Sequence, residues 1–431
     1  MAKAKGVLAG YFGATLWKRV LVGLALGVAL GLILRLALGA DTATALTTTW
    51  FRPFGDAFVQ LIRMLVVPLV FTTLAAGVLA MGEPAKLGGI GLRAIGAYLV
   101  TTLFAVVIGL VMGAVLRPGA GVDFTGVAPA ALAGEAPTVA ERLIAIIPAN
   151  PFAALASGDI LAVIFFAILL GVALLVMRQA AKPVADVITA GAEVMLKITH
   201  WVMELAPVGV FFLMTWLAAT QGLSTFTSLA LLAACVYLGC LIHIGLVYGG
   251  LVRLVLRLPL RQFFRGMFDA QAVAYSTSSS SATLPVTISC ARDNLGVPNA
   301  IAGSVLPLGA TINMDGTSLY LGVLALFAAQ AFGLDLSLAD YALVAMTATL
   351  ASIGAAGIPS ASLFLLATVL STIGATPEQT ALMVGFILPF DRPLDMMRTL
   401  TNVTGDGAVS VAVAKWEGEL DEKTYRHDAV V

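Results

Sequence analysis

Charged residues are scarce in this 431-residue chain: Asp, Glu, Lys and Arg make up 11% of it, against about a quarter in an ordinary soluble domain. Hydrophobic residues make up 60%, and the mean hydropathy is +0.99. These values exclude a soluble globular domain, and they exclude a disordered chain, which needs low hydrophobicity and high net charge. The 43 glycines follow no strict repeat, which excludes collagen. The composition indicates a polytopic membrane protein.

The chain also has no net charge, because 24 basic residues balance 24 acidic ones. Without a basic surplus there is no global positive field to hold nucleic acid, so no nucleic-acid partner is expected. Cysteine is scarce as well. Cys235, Cys240 and Cys290 are odd in number, lie in apolar surroundings and match neither zinc nor disulfide spacing, so we interpret them as packing residues.

Long apolar runs are what the chain has in quantity. A helix needs roughly 20 apolar residues to cross a bilayer core. Seven runs predict single crossings, and an eighth helix begins at Thr380; the seven are 20–34, 64–82, 94–116, 160–177, 198–220, 224–252 and 294–314. The first run could instead be a cleaved signal peptide, but Leu38 fits poorly three residues before a cut after Ala40.

The positions of Lys and Arg predict the orientation, since short cytoplasmic loops carry the basic excess. Four basic clusters fall on one side if each run crosses once: Lys3, Lys5, Lys18 and Arg19; Lys86 and Arg93; Arg178 and Lys182; Arg253, Arg257, Arg261 and Arg265. We therefore expect a multi-pass protein of the cell (inner) membrane with cytoplasmic N- and C-termini.

Two uncharged stretches do not fit single crossings. Residues 270–291 have arginines before and after them and a polar centre, Ser278-Ser-Ser-Ser281, so each arm is too short to span alone. Residues 341–376 would form a helix about 54 Å long, and the Gly354-Ala-Ala-Gly-Ile-Pro-Ser360 segment interrupts it. We predict two re-entrant hairpins, named here hairpin 1 (270–291) and hairpin 2 (341–376). A serine-rich loop and a kinked helix are the plainer alternatives. Irregular backbone at membrane depth is tolerated where it lines a ligand site.

The eighth predicted helix carries polar residues spaced by three or four. At 100° per residue they fall within an arc of about 80° and form one stripe: Asp391, Asp395, Arg398, Asn402 and Asp406. Each buried charge costs roughly 2.5–3.5 kcal/mol on insertion scales, so the stripe needs a compensating role. A purely structural ion pair between Asp395 and Arg398 is the alternative.

A second polar insertion, Gly309-Ala-Thr-Ile-Asn313-Met-Asp315-Gly-Thr317, interrupts the seventh run. Such a sequence can unwind and turn carbonyl oxygens inward. With the carboxylates and amides of the stripe it supplies hard oxygen ligands, for which sodium is the natural candidate. Tyr98, Thr101 and Thr102 add hydroxyls at helical spacing, although alone they would be ordinary hydroxyls bonded to the preceding turn.

Four motifs in order carry a resemblance: Ser278-Ser-Ser-Ser-Ala-Thr-Leu-Pro285, Asn313-Met-Asp-Gly-Thr317, Gly357-Ile-Pro359, and the segment from Asp395 to Asp406. The chain resembles the dicarboxylate/amino acid:cation symporter family, the glutamate transporter homologues that include archaeal sodium/aspartate symporters. The resemblance implies an all-α fold with eight transmembrane helices and two re-entrant hairpins. It also implies a homotrimer in which a transport domain moves like an elevator against a scaffold.

The same resemblance implies a division of the chain. Residues 1–82 and 124–220 would form the scaffold and trimer contacts with helices 1–2 and 4–5. Residues 83–123 and 221–260 would contribute helices 3 and 6 to the transport domain. Residues 261–431 would supply the transport core and the cytoplasmic tail.

Site residues are also implied by the resemblance. Arg398 would hold the substrate side-chain carboxylate, and Asp395 would hold the α-ammonium group. The remaining substrate-binding residues would be Ser279, Ser280, Thr317, Gly357, Thr399 and Asn402. One sodium site would use Gly309, Asn402 and Asp406; a second Thr311, Ser352, Ile353 and Ala355; a third Tyr98, Thr101, Thr102, Asn313 and Asp315.

The resemblance predicts a sodium-coupled symporter of acidic amino acids, aspartate or glutamate, with three co-transported sodium ions. A proton-coupled glutamate or C4-dicarboxylate symporter is the alternative. The chain departs from the family in lacking an arginine at Ser278 or at Met396, and Arg392 is the candidate to supply that charge. An intramembrane enzyme is disfavoured, because a serine nucleophile needs a base and His200, His243 and His427 lie far from hairpin 1 in sequence.

Overall fold

The fold is helical in every element of a computed structural model that describes residues 16–80, 89–122, 144, 147–158, 160–221, 224–353 and 361–427. The first half of the chain forms α1 (Leu16–Leu38), α2 (Ala40–Trp50), α3 (Arg52–Ala80), α4 (Gly89–Leu116), α5 (Pro151–Ser157), α6 (Ile160–Met177), α7 (Lys182–Glu204) and α8 (Ala206–Gln221). The second half forms α9 (Ser224–Ile242), α10 (Leu260–Thr277), α11 (Ser280–Ser289), α12 (Asn299–Ile312), α13 (Asp315–Phe332), α14 (Leu338–Ile353), α15 (Ala361–Thr372), α16 (Pro377–Trp416) and α17 (Glu422–Arg426). The predicted all-α class is confirmed.

Short π-helical and 3₁₀ segments extend or join some of these helices. Two π-helical segments, His243–Tyr248 and Leu251–Val255, continue α9, and a third, Cys290–Asn294, continues α11. A 3₁₀ turn, Arg178–Ala181, joins α6 to α7.

Within the part of the chain that the structure describes, three helical stretches are long and apolar enough to cross a membrane: Gly89–Leu116, Thr227–Val255 and Asn299–Phe332. Shorter apolar helices lie at α1, α3, α6, α8, α14 and α16. Many large hydrophobic side chains on α1, α4 and α9 are exposed in the isolated chain, which suits a lipid environment. These features agree with a membrane protein.

Several predicted boundaries differ from the structure. The run predicted to end at residue 314 resumes as α13 and continues to Phe332, because Asp315 is buried and paired within the fold and so does not end the span. The run 198–220 is divided at Leu205, between α7 and α8. The first arm of hairpin 1 begins at Leu260 because α10 carries its arginines on an amphipathic helix.

Closely packed glycines join α1 to α8. Gly23, Gly27 and Gly31 follow one another at four-residue spacing along α1. A methyl group added at any of them would come within 2.3–2.6 Å of a carbonyl oxygen of α8. Small residues at this spacing let two helix backbones approach in a membrane, where lipid supplies no hydrophobic drive for association.

The helices pack in two groups. The first group contains α1–α3 and α6–α8, in which α3 packs against α6 and α7, and α8 against α1 and α3. The core group contains α4 and α9–α16, in which α4 packs along α13, and α16 against α10, α12 and α13. The two groups meet where α15 and α16 contact α3 and where α16 contacts α8. Most of the buried polar side chains belong to the core group.

Gly109→Ala on α4 should destabilise the protein, because the added carbon would lie 2.2 Å from the carbonyl oxygen of Leu319 on α13. Overpacking of this kind costs typically 1–3 kcal/mol. Gly96→Ala is the matched control on the same helix, since its added carbon meets no atom within 4 Å and alanine favours the helix. Thermal unfolding in detergent, followed by size-exclusion chromatography, should show a lower midpoint for Gly109→Ala alone. Equal midpoints for the two variants would contradict the close approach.

Candidate functional site

A break in the helix pair α12–α13 opens the candidate site. The residues between them, Asn313 and Met314, have non-helical backbone angles (φ −84°, ψ 77° and φ −108°, ψ 48°). Both are buried. The interruption predicted from the Gly, Asn and Asp residues of this segment is therefore present, and it directs polar groups into the core group of helices.

Among the described residues, Arg398 of α16 is the largest charged side chain that is completely buried. Its Nη2 donates to Asp391 at 3.0 Å and to Asp395 at 2.7 Å. The guanidinium carbon lies 4.0 Å from the ring centroid of Tyr320, whose hydroxyl donates to Asp391 at 3.1 Å. Among the described residues, Nε and Nη1 of Arg398 have no acceptor. The ion pair exists, but it leaves two donor nitrogens of a buried cation unsatisfied.

The two aspartates beside Arg398 differ in their surroundings. Asp391 is 1% exposed, and its Oδ2 has no hydrogen-bond partner among the described residues. The Asp395 side chain is 9% exposed and thus lies nearer an accessible surface. The Arg398 cluster, defined as Asp391, Asp395, Arg398 and Tyr320, therefore contains an incompletely paired cation and a partly accessible carboxylate.

Arg392 lies at the turn of hairpin 1. Its Nη2 donates a hydrogen bond to the carbonyl oxygen of Thr277 at 3.2 Å. Thr277 is the last residue of α10. Ser278 follows in the left-handed region (φ 55°, ψ 38°), and its buried hydroxyl has no partner among the described residues. Arg392 thus brings a positive charge to the turn at Ser278, the position where the resembled family was expected to carry arginine.

The other serines of hairpin 1 begin α11. Ser279 caps this helix by accepting a hydrogen bond from the amide of Ala282 at 3.1 Å, and Ser280 is buried. α11 also packs against α16. The predicted substrate-binding serines therefore lie at a helix N-terminus, where backbone N–H groups favour an anion.

Asp315 is held by three donors from two other helices. Thr102 of α4 donates to Oδ1 at 2.6 Å, and Tyr248 donates to Oδ2 at 2.6 Å. Nε2 of His243 lies 3.1 Å from the same Oδ2. His243 and Tyr248 are fully buried and lie in the first π-helical segment. The sequence interpretation missed both residues, and the available signal was a histidine inside an apolar span.

A second polar group joins α12 to α16. Asn313 donates from Nδ2 to the carbonyl oxygen of Asn402 and to Asp406 Oδ1, both at 2.9 Å. The Asn402 side-chain oxygen accepts from the amide of Gly316 at 2.8 Å. Among the described residues, Oδ1 of Asn313 is buried and has no donor. An unpaired carbonyl oxygen between two carboxylate-bearing helices is a suitable ligand for a hard cation.

Three more predicted cation ligands, Gly309, Tyr98 and Thr101, lie on the helices that surround Asp406 and Asn313. A carbon added at Gly309 would lie 2.4 Å from Asp406 Oδ1 and 2.6 Å from the Tyr98 hydroxyl, so these three residues meet. Tyr98 donates to the carbonyl oxygen of Val305 at 3.1 Å, and Thr101 donates to that of Tyr98 at 3.0 Å. Both hydroxyls are thus donors to backbone, and their oxygens keep lone pairs.

The other predicted residues are placed less closely. Thr317 on α13 and Thr399 on α16 are both buried. Along the chain, Thr317 lies three residues before Tyr320, and Thr399 follows Arg398. Thr311 lies at the end of α12, and Ser352 and Ile353 end α14, which packs against α12. Ala355 and Gly357 lie outside the described residues.

Comparisons with known proteins show the family of the chain. The sodium:dicarboxylate symporter family matches residues 16–416. The C4-dicarboxylate transport protein 2 of Pseudomonas aeruginosa is 34% identical over 424 residues, 97% of this chain and 94% of that protein. The proton/sodium-glutamate symport protein of Bacillus caldotenax is 33% identical over 411 residues, 93% of this chain and 96% of that protein.

A third relative is the proton/glutamate-aspartate symporter of Escherichia coli strain K12, which is 34% identical over 416 residues, 94% of this chain and 93% of that protein. All three are named as transporters rather than enzymes, and each is similar over nearly its whole length. The resemblance inferred from four motifs is confirmed, as is the expectation that the chain is not an enzyme. The chain belongs to the sodium:dicarboxylate symporter family.

Proposed function

We propose that this protein is a sodium-coupled symporter of acidic amino acids, aspartate or glutamate. The observation that carries the proposal is Arg398, a completely buried guanidinium with two nitrogens lacking acceptors among the described residues. A substrate carboxylate is the matched partner for such a group. The contacts with Asp391 and Tyr320 fix the guanidinium before substrate binds, which reduces the entropy lost on binding.

Asp395 supports an amino acid over a plain dicarboxylate. Its carboxylate is the less buried of the two that pair with Arg398, so it is the one that an incoming group can reach. An α-ammonium group would compensate its charge, whereas a C4-dicarboxylate has no cationic group to pair with it. The relatives carry names of both kinds, C4-dicarboxylate and glutamate transporters. Asp395 is the residue on which we base the choice.

Sodium coupling is supported by the oxygen groups around the break between α12 and α13. Asn313 Oδ1 has no donor among the described residues, and Asp315 and Asp406 bring two carboxylates to the same segment. Buried carboxylates need compensation, and an alkali cation supplies it without a buried counter-residue. Three sites, formed as the sequence resemblance implies, would share Asn402 between cation and substrate.

The two packing groups support an elevator mechanism of alternating access. The helices of the first group come from the segments of the proposed scaffold (1–82 and 124–220), and those of the core group come from the segments of the proposed transport domain (83–123, 221–260 and 261–431). All side chains of the Arg398 cluster lie in the core group and would move with it. The proposal includes a homotrimer in the cell (inner) membrane, with eight spans, two re-entrant hairpins and cytoplasmic termini.

Purified protein in proteoliposomes should accumulate aspartate only when an inward sodium gradient is imposed, because the oxygen groups need cations to offset their charge. Asp406→Asn should weaken the sodium dependence, since it removes a charge and keeps an oxygen. Asp293→Asn, an exposed carboxylate on the Cys290–Asn294 segment, is the matched control. Equal uptake driven by a pH gradient without sodium would instead support a proton-coupled symporter. The names of two relatives include proton coupling.

Arg398→Cys should abolish aspartate binding while serine, alanine or cysteine still bind, because only the acidic ligand loses a partner for its side-chain carboxylate. Leaving a buried carboxylate unpaired costs several kcal/mol. Asp395→Asn should impair every amino acid, since all carry the ammonium group. Calorimetric binding in sodium measures both, and retained serine binding shows that Arg398→Cys is folded. Should Arg398→Cys bind aspartate as the parent does, the carboxylate is held elsewhere.

His243 should act as a positioning residue for Asp315. His243→Leu removes a hydrogen bond to a charged group and should raise the sodium concentration for half-maximal uptake roughly tenfold. His243→Gln keeps an N–H donor and should restore much of the affinity. Half-saturation by sodium is measured at saturating aspartate. If His243→Leu lowers only the amount of folded protein and leaves half-saturation unchanged, the contact has a structural role alone.

A further inference from the structure

An apolar groove of about 720 Å³ lies between α4, the π-helical segments that follow α9, and the end of α16. The α4 wall presents Gly96, Val100, Phe104 and Ile108, which recur every four residues along one helix face. Its volume falls within the range of about 300–1,000 Å³ found for small-molecule sites. None of the residues assigned to substrate or cation contacts lines it except Thr101.

The opposite wall results from the π-helical turns. Leu246, Leu251 and Val255 line it, and all three lie in or at the ends of those turns. The Thr101 hydroxyl is already bonded to the carbonyl oxygen of Tyr98. The walls therefore offer an apolar surface with its one hydroxyl satisfied, which suits a hydrocarbon chain better than a polar metabolite.

One end of the groove is basic and aromatic. Arg93 and Trp416 line that end, and the ion pair of Arg93 with Glu417 at 2.6 Å joins the start of α4 to the end of α16. The Arg93 side chain nevertheless remains 49% exposed. Arg253 and Arg257 are exposed at the end of the adjacent wall, and neither forms an ion pair among the described residues. Tryptophan and arginine side chains at the same depth in the bilayer are typical of the headgroup region.

The length of the groove fits one leaflet. From Arg93 to Ile108, fifteen residues of α4 rise about 22 Å at about 1.5 Å per residue. One leaflet with its headgroups measures about 20–22 Å, half of the 40–45 Å of a whole bilayer. The basic end therefore lies at headgroup level when the opposite end lies near the bilayer centre.

We propose that this groove binds one anionic phospholipid, with an acyl chain between α4 and the π-helical segments and its phosphate among Arg93, Arg253 and Arg257. Basic pockets between membrane helices bind anionic headgroups in this way. A zwitterionic lipid would bring a positive group to the same arginines and would bind more weakly. The site is independent of the substrate proposed above, so its test needs no transport.

Occupancy is tested by filling the groove. A side chain added at Gly96 points into open space and should displace the lipid without a clash. Gly245→Leu is the matched control, because Gly245 is an exposed helical glycine with equal space and lies outside the lining. Native mass spectrometry of protein supplied with phosphatidylglycerol should show a retained lipid in the parent and in Gly245→Leu, and its loss in Gly96→Leu.

Headgroup preference is tested by charge. Arg253→Gln should weaken phosphatidylglycerol retention about fivefold and leave phosphatidylcholine retention unchanged. Lys197→Gln on α7 changes the net charge equally, away from the groove, and should have no effect. Three results would overturn the proposal: retention of lipid in Gly96→Leu as in the parent, equal retention of the two lipids by the parent, or a dimer lost only in Gly96→Leu, which would show that a second copy of the chain covers the groove.

Discussion

The burial of Arg398 is the constraint on which the arrangement of the core group depends. A guanidinium removed from water and lipid headgroups needs counter-charges within hydrogen-bond distance, and both Asp391 and Asp395 supply them from the same helix. Tyr320 adds its ring face from α13, so the guanidinium is fixed from two helices. α16 and α13 must therefore keep one relative position, and the groups that line the break between α12 and α13 keep theirs with it.

Glycines make this close arrangement of polar groups possible. A carbon added at Gly316 would lie 2.4 Å from the carbonyl oxygen of Arg398, and one added at Gly405 would lie 2.3 Å from the Tyr248 hydroxyl. A carbon added at Gly309 would lie 2.4 Å from Oδ1 of Asp406. At each of these points a helix backbone approaches a polar atom that a larger residue would push away. The buried hydrogen bonds of Asn313 and Asp315 thus depend on the absence of side chains as much as on their presence.

Sequence reasoning predicted the helical class, the interruption near Asn313 and the stripe on α16, because each follows from local spacing and composition. It ended one span at residue 314, since a charge was taken as the end of an apolar run, whereas pairing with Thr102 and Tyr248 allows Asp315 to remain inside. It missed His243 because its partner lies 72 residues away, and sequence periodicity on one helix carries no information about the facing helix. The predicted turn of hairpin 2, residues 354–360, lies outside the described residues, so Ala355 and Gly357 stay predicted ligands.

Formal charge links the proposed substrate to the proposed number of cations. The core group buries the carboxylates of Asp315, Asp391, Asp395 and Asp406 against the guanidinium of Arg398. These buried groups carry more formal negative than positive charge. A doubly charged C4-dicarboxylate would therefore need one more monovalent cation for neutrality than an acidic amino acid, which carries a single net negative charge. Because unneutralised charge is costly at membrane depth, the charge of the substrate and the number of co-transported cations cannot vary independently in this fold.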